Sequence, residues 1–494
     1  MSSTSSTSGL STTGLNILSG FNAGASALGI NVSSLVSGLV SASSGPLNNL
    51  KTQLTTNQSQ ISAYGSIQSS LASLYGATQN LYGVGSAITA QNVSSTATAV
   101  ATATSDGTAV TGSHTINVTQ LAETQSLTSA GFSTTDFTFN GSLSIKVGSG
   151  SATNVTIASG SSLADVVKDI NNANTGVNAS IVNDGTQNHL VLTSANSGTA
   201  NAFTVTGTDT TGSNLSTLNW NATSTAANTN TSGTITANGS PNSSYLSYTT
   251  PLNAALTIDG IATTEPSNTV STALQGITLN LSSLGTSTLN ISLNTSAIDN
   301  AVSTFVSYYN NNQSTLRGLT AYDTTTKTAG VLNGDVIPNS LQNQLGGMLS
   351  TTFSQMSTGL GSAYQGTGSF TSLADLGVSL NSDGTLSLDT AKLNTAVASN
   401  PTGALAGFSN FGQTLNKFLD AQLNTTHGTI ATATTTLKSQ AKLITDQETA
   451  MQAHLDALQA QYTAQFTALQ TVLSQMSSTS SYLNAQFTAM SNSR

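Results

Sequence analysis

A seven-residue apolar repeat near the end of the chain constrains the fold most. Between Leu437 and Met490, apolar side chains follow two lines, alternately four and three residues apart. This pattern is typical of a helix that packs along another helix for many turns. Neither proline nor glycine occurs after Leu437, so we expect one continuous helix of roughly 80 Å that requires a partner. The candidate seam positions are Ile444, Met451, Leu455, Leu458, Tyr462, Leu469, Val472 and Met476.

A second repeat near the start of the chain supplies the partner. It predicts a helix from Leu47 to Tyr82, separated by Gly45-Pro46 from a short amphipathic helix that begins at Ile30. The simplest packing folds the chain back on itself, so that both terminal helices form one leg. Residues 1–29 are rich in Ser, Thr, Gly, Asn and Ala, and we expect them to be disordered before assembly. The candidate seam positions on this second helix are Leu47, Leu54, Ile61 and Leu71.

The middle of the chain changes its apolar period from seven residues to two. Alternating segments rich in Val, Ile and Thr predict strands between about residues 92 and 296, with hairpin turns at Asn183-Asp184-Gly185 and Asp259-Gly260. The fold class is therefore α+β multidomain, in which terminal helices form a coiled-coil-like leg with a helical body and a two-part β-rich head lies between them. The predicted domains are a disordered or helical terminus (1–45), an N-terminal leg helix (46–91), a β-rich head domain (92–130 with 246–296), an inserted β-rich head domain (131–245), a helical body with a β-hairpin (297–436) and a C-terminal leg helix (437–494).

Charge is the unusual part of the composition. Asp, Glu, Lys and Arg make up 6% of the 494 residues, the formal net charge is −9 and there is no cysteine. Nucleic acids and anionic membranes require clustered Lys and Arg, so we expect neither as a partner. No stretch is long and apolar enough to span a bilayer. The first residues lack the basic and apolar regions of a signal peptide, so a secreted chain would leave by a route without a cleaved signal.

The search for catalytic motifs is negative. No nucleophile elbow, phosphate loop, dinucleotide fingerprint or HExxH zinc motif occurs, and the four histidines are far apart. Asp383-Gly384 predicts a hairpin turn rather than a calcium site. We therefore expect no catalytic residue, cofactor or metal, and no enzyme. The Thr/Asn-rich tract 207–245, with Trp220, is where a glycan-binding site would be sought.

Five segments, in order along the chain, resemble one family of bacterial flagellar proteins. The family is the flagellar filament cap proteins (FliD), and the 163–198 segment is also similar to a repeat shared by flagellin and hook-associated proteins. The segments are LGINVSSLVSGLVSASSGPLNNLKTQL (28–54), LADVVKDINNANTGVNASIVNDGTQNHLVLTSANSG (163–198), LTIDGIATTEPSNTVSTALQGITLNLSSLG (256–285), SLADLGVSLNSDGTLSLDTAKLNTAVASNP (372–401) and QFTALQTVLSQMSSTSSYLNAQF (465–487).

The resemblance implies a structural assembly protein rather than an enzyme. It implies a homo-oligomeric ring at the distal tip of the filament, with helical legs on the growing filament and β-rich heads above. Exported flagellin would be retained there and folded into place. The implied partners are flagellin, the hook-associated junction protein and an export chaperone at the C-terminal helix. The implied location is extracellular, at the flagellar tip, after type III flagellar export without a cleaved signal peptide. A hook–filament junction protein and a surface adhesin are the alternatives, and adhesion is also conceivable as a secondary role of a cap.

Overall fold

Most described helices of this chain lie towards its two ends and most strands lie between them. A computed structural model describes residues 32–132, 138–210, 215–220, 236–237, 240–241, 245–353 and 370–491. Residues 1–29, for which we expect disorder, lie outside these ranges, as does most of the tract 207–245. The described helices are α1 (Val32–Ser43), α2 (Gly45–Gln79), α3 (Leu163–Asn172), α4 (Thr295–Thr320), α5 (Val336–Ser350), α6 (Thr390–Ser399), α7 (Pro401–Leu423) and α8 (Thr429–Ser491).

The strands begin after α2 and most of them end before α4. In chain order they are β1 (Gln91–Ser95), β2 (Ala101–Ser105), β3 (Gly112–Gln120), β4 (Ser126–Ser129), β5 (Phe139–Val147), β6 (Thr153–Ser161), β7 (Val177–Asn183), β8 (Asn188–Ser194), β9 (Phe203–Asp209), β10 (Thr236–Ala237), β11 (Ser240–Pro241), β12 (Tyr245–Thr249), β13 (Ala254–Ile258), β14 (Ile261–Glu265), β15 (Thr269–Leu274), β16 (Ile277–Leu281), β17 (Gly285–Leu293), β18 (Tyr322–Asp323), β19 (Thr328–Ala329), β20 (Val378–Leu380) and β21 (Leu386–Leu388). The predicted α+β multidomain fold class is confirmed.

The first β core is built from two separated stretches of the chain. Its larger sheet has the order β1-β17-β3-β13-β14 and its smaller sheet the order β15-β16-β2, with every pairing antiparallel. Alternate side chains of these strands point inward, and Ile116, Leu279 and Leu289 are fully buried. The β13–β14 hairpin turns on Asp259 and Gly260, both with positive φ, as the sequence predicts for a two-residue turn.

The second β core is inserted into the first. Its sheets have the orders β12-β4-β8-β7 and β6-β5-β9, and α3 packs on them through Val166 and Ile170. Helix α3 begins at a capping box, in which Ser162 and Asp165 bond each other's backbone amides. Strand β4 pairs with β8 of this second core, so the core includes residues on the N-terminal side of residue 131, where we placed the boundary. The remaining predicted domain boundaries stay predictions.

A helical body forms the third core. It joins the second half of α2 to α4, α5, α6, α7 and the first turns of α8, around the fully buried Phe305, Tyr309 and Phe411. Helix α7 lies close to the residues that follow α2. A Cβ added at Gly412 would lie 2.9 Å from the Leu81 Cβ, so only glycine fits there without a shift. The β20–β21 hairpin turns at Asp383 and Gly384 and packs on α4. Asp383 faces Arg317 of α4 at 3.9 Å.

Helix α8 extends far beyond this body. Its 63 residues correspond to about 95 Å at 1.5 Å per residue. It runs antiparallel to α2, since Asn57 contacts Gln440 whereas Pro46, closer to the start of α2, lies near Met451. Pro46 lies in the first turn of α2, where a proline begins a new helix, and so marks the break after α1. Helix α1 continues the same antiparallel path along α8.

Candidate assembly surface

The first part of the α8 seam packs against α2. Leu47 and Leu455 are buried, at 5% and 4% exposure. The other seam side chains of this part, which are Leu54, Ile61, Ile444, Met451 and Leu458, are partly buried. The side chains cover one another along one face of each helix, as the seven-residue period requires. These residues hold the two leg helices together.

One polar contact interrupts this apolar seam. The Asn57 side chain is 7% exposed, and its Nδ2 donates a hydrogen bond to Gln440 Oε1 at 3.3 Å. A buried amide within a coiled-coil seam disfavours registers in which it loses its partner. Asn57 and Gln440 therefore help to fix how α2 and α8 align.

The next part of the seam is covered by α1. Val32 and Val36 of α1 are buried and pack with Val40, Tyr462 and Phe466. Sequence analysis recognised α1 as amphipathic but did not assign its valines to the seam. Their spacing of four residues is the signal that predicts such a contact. Coverage by the described residues therefore continues to about Phe466.

Beyond Phe466 the apolar line of α8 lies open among the described residues. Leu469, Val472 and Met476 are 50%, 51% and 63% exposed. Leu483 and Phe487, which sequence analysis left out of the seam, are 49% and 66% exposed. The signal that finds Leu483 is the same seven-residue line, since it follows Leu469 and Met476 at equal steps. We call Leu469, Met476, Leu483 and Phe487 the open stripe.

Leu71 lies elsewhere than the other seam positions. It is fully buried in the helical body, where the second half of α2 packs on α4 and α7. The antiparallel alignment explains this position, because α8 begins only at Thr429 and its first turn faces residues of α2 that precede Leu71. Leu71 thus belongs to the core of the body, which also includes Ile430 at the start of α8.

The acidic, basic and histidine side chains of α8 are confined to one half of the helix. Lys438, Lys442, Asp446, Glu448, His454 and Asp456 all lie where α8 runs beside α2, and no Asp, Glu, Lys, Arg or His follows until Arg494. The Lys442–Asp446 pair, at 3.1 Å, is exposed on both sides and contributes little to stability. The open stripe therefore lies on a helix segment without formal charge.

The head histidines occupy structural positions. His114 Nδ1 lies 2.7 Å from Asp259 Oδ2 at the β13–β14 turn. His189 is buried between the Ser129 carbonyl, at 2.9 Å from Nδ1, and Asp184, at 3.2 Å from Nε2. Hydrogen bonds from the 184–187 turn hold the pKa of Asp184 far below its ordinary value, led by the Gln187 amide. Each histidine thus links a hairpin to a neighbouring strand.

A metal site, an open aromatic platform for a sugar and a membrane-spanning helix each have a recognisable structure. Across the described ranges, no three His, Cys, Asp or Glu side chains come together as a metal site. Trp220 is 3% exposed and packs against Tyr248 with ring centroids 4.7 Å apart, so its ring is not an open platform for a sugar. None of the described helices has the length and hydropathy needed to cross a membrane.

Comparison with known proteins places this architecture in one family. The families described as Flagellar hook-associated protein 2 N-terminus and C-terminus match residues 28–125 and 252–478, and the Flagellin hook IN motif matches residues 136–196. The Flagellar hook-associated protein 2 of Escherichia coli (strain K12) is 32% identical over 492 residues, covering 94% of this chain and 98% of that protein. The chain belongs to the FliD family of flagellar filament cap proteins.

Another relative and a solved structure agree with the family. The A-type flagellar hook-associated protein 2 of Pseudomonas aeruginosa is 30% identical over 403 residues, covering 77% of this chain and 79% of that protein. The crystal structure of the D1-D2-D3 domains of the flagellar cap protein FliD from Escherichia coli is 31% identical, with a TM-score of 0.64, and covers 76% of this chain and 99% of that one. These matches favour the cap over the junction protein and the adhesin, and associate the chain with the flagellum outside the cell.

Proposed function

We propose that this chain caps the distal tip of the flagellar filament, retains exported flagellin beneath it and promotes flagellin folding and insertion. Family membership supports the cap. The structural observation that supports the mode of action is the open stripe of α8. Phe487 lies about 85 Å along α8 from Ile430, which is buried in the helical body. The leg therefore presents an apolar helix face to a partner far from the body.

The leg and the head divide the work in this proposal. The leg helices grip the end of the filament through the open stripe, and the β-rich heads of several copies form a plate above the space where flagellin folds. The homo-oligomeric ring, the contact with the hook-associated junction protein before the first flagellin arrives, and an export chaperone on the C-terminal helix are parts of the same proposal. Unfolded passage through the flagellar type III export channel belongs to the same proposal and fits the polar, charge-poor composition of the chain.

The test is a deletion strain with defined complementation. Cells that lack the chain should release flagellin monomers into the medium and bear hooks without filaments, and the wild-type chain should restore filaments whose tips carry a cap in electron micrographs. Filaments of normal length in the deletion strain would refute the proposal. Restoration by a chain that ends at Asp456, which keeps the part of α8 that pairs with α2, would leave the cap function intact but refute the role of the open stripe.

A further inference from the structure

We propose that the open stripe docks a charge-free helical face of flagellin, so that the cap holds the filament without ion pairs. The inference rests on the proposed function, because that function supplies the partner. What it adds is the chemistry of the contact. The contact is an apolar line flanked by amides and hydroxyls, and its binding affinity is insensitive to ionic strength.

The first observation is the continuity of the stripe with a seam that is already covered. Leu455 is buried against the leg, and Tyr462 and Phe466 are covered by α1. Residues at steps of three, four and seven continue on the same helix face, and from Leu469 onward they are exposed. The stripe from Leu469 to Phe487 is about 27 Å long, which matches about five turns of a partner helix.

The second observation is the chemistry beside the stripe. Between Ala457 and Ser493 the polar residues are Gln, Thr, Ser, Asn and Tyr, without one formal charge. Helical spacing places the exposed Ser477, Ser480 and Asn484 beside the stripe, where they offer hydroxyl and amide groups. An amphipathic helix with a charged side chain facing this surface would lose hydration without gaining a counter-charge, which disfavours it. The surface thus selects a partner face that lacks charge.

The distribution of charge within α8 supports the same conclusion. Where α8 runs beside α2, it carries six ionisable side chains, from Lys438 to Asp456. The charge-poor composition of the chain therefore does not by itself remove charge from α8, since charge is present on one half and absent from the other. The charge-free half coincides with the half that the described residues leave uncovered.

The test measures binding of the full-length chain to short filaments reassembled in vitro from the flagellin monomers that the deletion strain releases. Bound and free chain are separated by sedimentation at 50 mM and 500 mM NaCl. We expect the apparent affinity to change less than about threefold, because no ion pair is screened. A tenfold loss at the higher salt would overturn the inference, since it indicates charge-pair attraction.

Matched variants locate the contact. Met476→Lys places a charge on the stripe and should weaken filament binding at least tenfold, whereas Met476→Leu should bind like the wild type. Thr471→Lys adds the same charge on the opposite face of α8 and should retain binding. Circular dichroism of each variant checks that the chain is folded.

Other occupants of the stripe give different results. If residues 1–31 of the same chain or a second copy cover the stripe in place of flagellin, Met476→Lys will bind filaments normally, and the inference fails. If the wild type binds no filaments at either salt concentration while remaining folded, the proposed function itself fails. Salt-dependent binding, in contrast, refutes only the charge-free contact.

Discussion

The two halves of α8 have the same apolar period but different environments. From Ile444 to Leu458 the seam side chains are buried or partly buried beside α2, whereas from Leu469 to Phe487 the stripe is exposed. The covered half carries all the Asp, Glu, Lys and His side chains of α8 and the exposed half carries none. A seven-residue period therefore predicts that a helix has a partner, but does not say whether that partner is the same chain.

Burial therefore distinguishes two roles of the seven-residue apolar repeat, which are stability of the free subunit and contact with a partner. In the covered half, an apolar residue contributes to the stability of the free subunit, by about 25 cal/mol for each Å² removed from water. In the exposed half, the same residue type contributes only when a partner arrives. Substitutions in the first half should therefore change stability, and those in the second half should change assembly.

The largest effect is expected for Leu469→Asp. Leu469 is 50% exposed, so the free energy of unfolding of the free subunit should stay within about 0.5 kcal/mol of the wild-type value. At the filament tip the carboxylate would face an apolar partner, and capping should be lost. Motility and the amount of flagellin in the medium measure this loss, with Leu469→Met as the control. A normally motile Leu469→Asp strain would contradict the assignment of this stripe to assembly.

The next effect is expected for Leu455→Ala. Leu455 is 4% exposed, and removing its side chain from the seam should lower the free energy of unfolding of the leg by about 2–4 kcal/mol. Urea unfolding followed by the far-ultraviolet signal of the helices measures this change. Leu469→Ala is the matched control and should shift the transition little. Equal shifts for the two variants would remove the distinction between the halves.

Sequence reasoning predicted the existence and period of α8 but not its beginning. We placed the leg helix from residue 437, whereas α8 begins at Thr429. The missing turns are rich in Thr, which has a low helix propensity. Ile430 is nevertheless buried in the body, and threonine hydroxyls bond carbonyls four residues earlier, as Thr432 does with Gly428. Tertiary packing therefore overrides the local preference.

The sequence predicts the seam residues as one set, but it does not divide them into those buried within the leg and those exposed on the open stripe. Helical periodicity places Leu455 and Leu469 on one face, and it placed Leu71 on the equivalent line of α2. Which neighbour covers each position depends on the antiparallel alignment of α2 and α8, and on where α1 lies along α8. Leu71 is in the body for this reason. Contacts between distant segments are not contained in a local repeat.

Hydrogen exchange should resolve the two halves along the same helix. In the free full-length chain, we expect backbone amides of residues 438–458 to exchange more slowly than those of 469–487, because local opening is easier where few apolar contacts close over a helix. On filament tips the second group should become protected at least tenfold, while the first changes little. Equal protection of both groups in the free chain, or no gain on assembly, would contradict the separation.

The smallest effect concerns pH and contrasts the charge-free end of α8 with a hairpin of the head. The Ser129 carbonyl, followed by Asp184, raises the pKa of His189, since the imidazolium donates to both acceptors and the neutral ring to one. The contribution of His189 to stability is therefore complete below the ordinary imidazole pKa of about 6.5 and is lost as pH rises through the raised pKa. His189→Gln should accelerate exchange of the Leu190 amide, which donates to Ser129 Oγ at 2.8 Å, more at pH 5.5 than at pH 8. His454→Gln, on the exposed face of α8, is the control and should leave that amide unchanged at both values. An effect of His189→Gln that is independent of pH would mean that the ring acts only by packing, and ionisation would then have no structural role in this hairpin.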